Sequence, residues 1–201
     1  MNLSAMRANV RRDLKDEDAS NYRWTDDEID RAIARAVKEF SLYVPREMKS
    51  TLATVDDSIM LDISSLTDRI SVDKVEFAID QDPRLFVKFE VYQDTLYFRD
   101  TEGNGENCYV YWSKLHALDA SSSTIPAHLE DLVALGAAAH AALAWAEYAT
   151  NKANYGGPDV DRDYRNWGEA RLKEFIKGCK KASKKAGGQF THRRLYYDDY
   201  D

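Results

Sequence analysis

The sequence predicts an α+β protein: a helical bundle core, an antiparallel β insertion of the meander type, and an extended C-terminal arm. Three observations carry this. Apolar residues recur at helical spacing in the first 45 residues and again after residue 124. From Met48 to Leu118 the pattern changes to short alternating runs split by turn residues. An alanine-rich stretch, Leu132 to Ala146, is the most apolar part of the chain, and almost all its side chains are small. The expected division is a helical core from 1–47 and 124–186, a β insertion at 48–118, and a tail at 187–201.

Residues 2–16 predict a short amphipathic helix, with Leu3, Met6, Val10 and Leu14 on one side and arginines on the other. A polar break follows. Thr25 with Glu28 three residues on predicts a capping box. Trp24 before the cap and Ile29 in the first turn form the pattern of a hydrophobic staple, so Trp24 reads as structural. Ile29, Ile33, Ala36, Val37 and Phe40 line one face of this second helix, and Pro45 closes it near Tyr43.

In the alternating region, residues 51–55 and 58–62 predict a hairpin turned at Asp56-Asp57. Strands are expected at Ser71–Ile79, Leu85–Tyr92, Thr95–Arg99 and Asn107–Trp112, separated by Asp82-Pro83, Gln93-Asp94 and Gly103-Asn104-Gly105. Connections this short demand antiparallel pairing. A serine-rich connector leads to Pro126, which suits a first helical turn because its missing N–H costs nothing there. Glu130 and Asp131 lie at the favourable end of the helix dipole.

Ala134, Ala138, Ala142 and Ala146 repeat every four residues and allow close approach by neighbouring helices. A helix apolar nearly all round must be covered on more than one side. At 15 residues with His140 inside it, the run is too short for the roughly 20 residues a bilayer needs. The last helix is expected from Asp159 to about Lys185, with Tyr164, Gly168, Leu172, Phe175 and Cys179 inward. Lys180, Lys181, Lys184 and Lys185 would complement its C-terminal dipole, and Gly187-Gly188 would stop it. The tail beyond is rich in aromatics, unlike a solvated segment. It reads as a segment that orders on a partner, with Phe190, Arg193, Arg194, Leu195, Tyr196, Tyr197 and Tyr200 as its candidate contacts.

The 201 residues are ordinary in composition, at 44% hydrophobic and 31% charged, with a net charge of −7. The chain as a whole is therefore no polycation, although Arg171 to Lys185 is strongly basic. The two cysteines, Cys108 and Cys179, make no disulfide framework or CxxC site and read as reduced, packed thiols. The first helix lacks the apolar core of a signal peptide.

Catalytic and metal motifs are weighed the same way. His116, His128, His140 and His192 pair with no other ligand at metal spacing, so no metal or cofactor is expected. His140 reads as a core or interface histidine with its hydrogen bonds satisfied. Asp159, Asp161 and Asp163 mimic the start of a calcium loop, but Tyr164 and Ala170 stand where Gly and Glu are required. Gly103-Asn104-Gly105 precedes a strand and is a turn, not a phosphate loop. No nucleophile elbow is present, and no enzyme is predicted. Carboxylates assembled in space, as in a small hydrolase, stay open at this level. The basic run is either a solvated helix face or a contact for an acidic surface, which makes a nucleic-acid-binding module the alternative function.

Taken in order, these pieces resemble the head-to-tail adaptor (connector, or head completion) proteins of tailed bacteriophages. The residues carrying the resemblance begin at Tyr22-Arg23-Trp24-Thr25-Asp26-Asp27-Glu28-Ile29 and continue through Ala32, Ile33, Ala36, Phe40 and Pro45. They include Tyr109-Val110-Tyr111-Trp112 and His116, then Ser123-Thr124-Ile125-Pro126, Leu132 and Gly136-Ala137, and end with Asn151, Tyr164, Trp167 and Phe175. It spans roughly residues 2–185 and leaves the tail outside. The resemblance implies a structural virion protein at the neck, made in the host cytoplasm. It implies a ring, usually of twelve copies, that docks on the portal, extends the DNA channel and offers a platform to a tail or nozzle protein, with no membrane involved. In several such proteins an extended C-terminal arm clamps the portal, and by position alone the tail, Gln189 to Asp201, takes that part. An acidic protein can line a DNA channel without gripping DNA.

Overall fold

The computed structural model describes residues 1–150 and 160–194. It is an α+β protein with four helices and two small antiparallel sheets: α1 Leu3–Leu14, α2 Asp26–Tyr43, β1 Arg46–Ala53, β2 Met60–Asp62, β3 Arg69–Glu76, β4 Phe89–Tyr92, β5 Thr95–Phe98, β6 Asn107–Lys114, α3 Glu130–Thr150 and α4 Val160–Arg194. The chain forms two units. One combines residues 1–44 with 116–201; the other is Pro45–Leu115.

The helical unit is built on α3, which packs against α1, α2 and α4. Ala134, Ala138, Ala142 and Ala146 are all buried, and so are Val133, Ala137, Ala139 and Ala141. Small side chains on several sides let three helices close on one. The segment Ala127–Ala149 is long and apolar enough to cross a membrane by composition alone; here most of it is buried against its own unit. α2 starts at the predicted capping box: the Thr25 side chain accepts from the Glu28 N–H, and the Glu28 carboxylate accepts from the Thr25 N–H at 2.7 Å. Trp24 is buried, and its indole N–H donates to the Ala141 carbonyl at 3.2 Å, which ties the α2 entry to α3. Pro126 caps a single 3-10 turn, Ala127–Leu129, and α3 begins after it.

α4 departs from expectation at its end. The helix passes through Gly187 and Gly188 and reaches Arg194. Glycine weakens a helix interior by about 1 kcal/mol relative to alanine but does not forbid it, so a Gly-Gly pair is a permissive stop, not an obligatory one. Residues 195–201 lie outside the described residues.

The β unit keeps the antiparallel character but not the strand order of a meander. One sheet runs β1-β6-β3 and the other β2-β5-β4. Only β4 and β5 are sequential neighbours that pair, with Phe89 opposite Phe98 and Tyr92 opposite Thr95. The expected 51–62 hairpin is absent: β1 pairs with β6, from Arg46 opposite Lys114 to Ala53 opposite Asn107, while β2 pairs with β5. Alternation fixes which residues face the core but not which strand lies alongside. The inward residues Cys108, Val110 and Trp112 of β6 join Leu61, Ile63, Val75, Leu96 and Phe98 in one buried cluster. Phe77 and Phe98 stack with ring centres 5.9 Å apart.

Candidate functional site

The candidate tail residues divide at the end of α4. Phe190, Arg193 and Arg194 belong to its last two turns by backbone; Leu195, Tyr196, Tyr197 and Tyr200 lie outside the described residues. The remaining candidates for chemistry or contact are all in the body of the protein.

On α4, Phe175 and Cys179 are fully buried toward the core and Gly168 is buried beside them. On the opposite side, Lys173, Lys177, Lys180, Lys181 and Lys184 are exposed, and none makes an ion pair or hydrogen bond. Within the described part of α4, Arg171 pairs with Glu174 at 2.8 Å.

The α1–α2 junction holds a buried charge network that the sequence reading missed. Arg11, counted there among the solvent-side arginines, is only 5% exposed. Its guanidinium donates to Asp16 at 2.6 Å, to the Trp24 carbonyl at 3.0 Å and to Asp26 at 2.7 Å. Tyr22 lies under the same guanidinium at 3.6 Å. Arg7 forks onto Asp30 at 2.9 and 2.7 Å. Every donor direction of a buried cation is costly to leave empty, so these contacts read as structural. A helical arginine at the position following Val10 is the one signal that could have been found, because it lies next to the apolar stripe. Arg23 joins an aromatic cluster: it bonds the Tyr164 hydroxyl and lies 5.4 Å from the Trp145 ring centre.

Between α1 and α4 a cleft of about 290 Å³ is lined by Asp13, Leu14, Lys15, Asp163, Tyr164 and Trp167. Burial raises the Asp13 carboxyl above its ordinary range, with Asp131 adding to the effect. Two carboxylates therefore share one cleft, with no histidine, serine or cysteine in its lining. On the β unit a shallower cleft of about 530 Å³ is lined by Glu90, Val91, Tyr92 and Tyr97.

His140 is 4% exposed, and its Nε2 lies 2.9 Å from Glu39 Oε2. Its Nδ1 is buried with no hydrogen-bond partner, so the ring is half satisfied rather than fully satisfied. Burial lowers its pKa, against the opposing pull of Glu39. Burial also pushes the Cys108 thiol up to about 11 and the Cys179 thiol up to about 12. Neither is then a ready nucleophile at neutral pH, since the thiolate is the reactive form. Among the described residues, no group of three or more His, Cys, Asp or Glu side chains is placed to hold a metal ion.

Comparison with known proteins adds one positive finding. The family model described as SU10 adaptor protein matches residues 1–165. That span takes in α1, α2, the whole β unit, α3 and the start of α4. No curated protein matches the chain.

Proposed function

The chain belongs to the SU10 adaptor protein family, and from that membership we propose that it is the head-to-tail adaptor of a tailed bacteriophage. The family is structural rather than catalytic, and this chain is read as a non-enzymatic component of the virion neck. In this reading several copies, about twelve on the family plan, form a ring. The ring docks on the portal protein, continues the DNA channel, and receives a tail or nozzle protein on its far side. DNA passes through without sequence recognition.

The observation that carries the proposal is the extent of the match, which takes in the whole β unit and the helical unit as far as the start of α4 rather than one motif. The fold supports it physically. A ring subunit needs a rigid body, and α3 supplies one by burying alanines against three helices. The candidate portal contacts are those of the C-terminal arm, from Phe190 and Arg193 to Tyr200.

The test is deletion of residues 189–201. The shortened chain is expected to keep its helical circular dichroism and lose co-sedimentation with the portal. Electron microscopy of full-length chain mixed with portal should show a ring on the portal, and no ring with the shortened chain. Portal binding by the shortened chain equal to that of the full chain would rule out the docking arm. Absence of any ring or portal complex with the full chain would rule out the adaptor reading itself.

A further inference from the structure

We infer that the outer face of α4 is a contact surface for the phosphate backbone of duplex DNA. At 3.6 residues per turn, Lys173, Lys177, Lys180, Lys181 and Lys184 fall within roughly a 100° arc along about 16 Å of helix. That arc is on the side away from the buried Phe175 and Cys179. All five ammonium groups are exposed and unpaired. The neighbouring acids do not neutralise them: Glu174 is taken by Arg171, and Glu169, one turn before Lys173 and spaced to reach it, makes no ion pair with it.

The simplest structural explanation for these lysines is stabilisation of a helix C-terminus. It requires them to sit in the last turn, where the dipole acts. The helix continues to Arg194, so Lys184 lies more than two turns from the end. Five like charges left side by side on a helix repel one another. They persist here without an intramolecular partner, which points to an external polyanion.

The composition of the face selects among polyanions. Protein contact surfaces are enriched in aromatics and arginine and depleted in lysine, and no large hydrophobic side chain is exposed on the described part of α4. Lysine without base-reading or stacking partners is the chemistry of sequence-independent phosphate contact. About 16 Å of duplex carries roughly nine phosphates, enough for each ammonium to find one. Phosphate recognition follows from the face alone; the choice of duplex DNA over another polyphosphate rests on the adaptor reading.

The experiment uses the isolated full chain, without portal, so it is independent of ring formation and of the tail. Fluorescence anisotropy is measured with labelled 30-base-pair duplexes of two unrelated sequences over a salt series. Both duplexes should bind with similar affinity. If all five lysines pair, affinity should fall by roughly 500-fold between 50 and 200 mM salt. Changing the five lysines together to glutamine should reduce binding at 50 mM salt at least tenfold, with unchanged helicity, because glutamine is also a good helix former. Changing them to arginine should preserve binding. The inference is overturned by no duplex binding at 20 mM salt, or by binding that the glutamine variant retains. It is equally overturned if the wild type binds phosphatidylglycerol vesicles but not the duplex. Loss of self-association in the glutamine variant, without duplex binding by the wild type, would assign the face to the acid-rich β unit of a second copy instead.

Discussion

His140 shows how one buried side chain imposes a pH dependence on the helical unit. Its Nε2 faces Glu39, so in the neutral ring the Nε2–H donates to the carboxylate at 2.9 Å and Nδ1 carries no proton. A second proton must go to Nδ1, which is buried without an acceptor. Burial is the largest cause lowering the pKa; Arg35 acts in the same direction, and Glu39 opposes both. The folded pKa is therefore below the unfolded value of about 6.5. The unfolded chain then binds the proton more readily, and stability falls as pH drops below about 6.5. Above that value the contribution is complete and flat. Replacing His140 with glutamine keeps a donor for Glu39 and removes the titration. Melting temperature followed from pH 7.5 to pH 5 should drop less steeply in the variant than in the wild type. Coincident pH profiles would show that Nδ1 finds an acceptor on protonation.

At the scale of elements, the contact between α3 and α4 depends on missing atoms. A Cβ on Gly136 would lie 2.8 Å from the Phe175 ring, and one on Gly178 would lie 2.4 Å from Leu132. Gly136→Ala on an open helix surface should stabilise by about 1 kcal/mol through propensity. Here the ring of Phe175, itself fully buried, has little room to retreat, and overpacking costs about 1–3 kcal/mol. The expected net effect is a loss of up to about 2 kcal/mol, read by chemical denaturation; a gain would mean that Phe175 moves freely. Ala138→Leu, at a fully buried position of α3, should cost about 1–3 kcal/mol by the same mechanism. These helices were legible in the sequence because period, caps and small residues are local signals. Thr25 and Glu28 announced the start of α2, and the alanine repeat announced a helix covered on several sides. Strand pairing was not legible, because β1 and β6 are brought together across the whole insertion and alternation carries no partner information. The lysine face was visible as a basic run, but its meaning depended on where α4 stops. Gly187-Gly188 permits a stop without requiring one.

At the scale of the whole molecule, the insertion leaves and re-enters the helical unit at nearly one point. His116, the first residue after the β unit, places its ring Nε2 3.0 Å from the Val44 carbonyl oxygen and its Nδ1 2.8 Å from that of Thr124. Its backbone N–H donates to the Ser41 hydroxyl at 2.9 Å, and that hydroxyl donates in turn to the Val37 carbonyl. The two chain ends at the junction are thus fixed by bonds wholly within the helical unit. Each unit also has its own buried apolar cluster: Phe40, Ile33 and Phe175 belong to one, Trp112, Phe98 and Leu61 to the other. A unit with its own core and adjacent chain ends meets the physical conditions for tolerating an insertion. Replacing residues 46–114 with a short glycine-serine linker should therefore leave a helical protein that melts cooperatively. Circular dichroism and a thermal scan read the outcome. A chain with helical signal but no cooperative transition would show that α1 to α4 need the β unit to fix their packing. If the short form does fold, the body that holds α3 and α4 is set independently of the insertion.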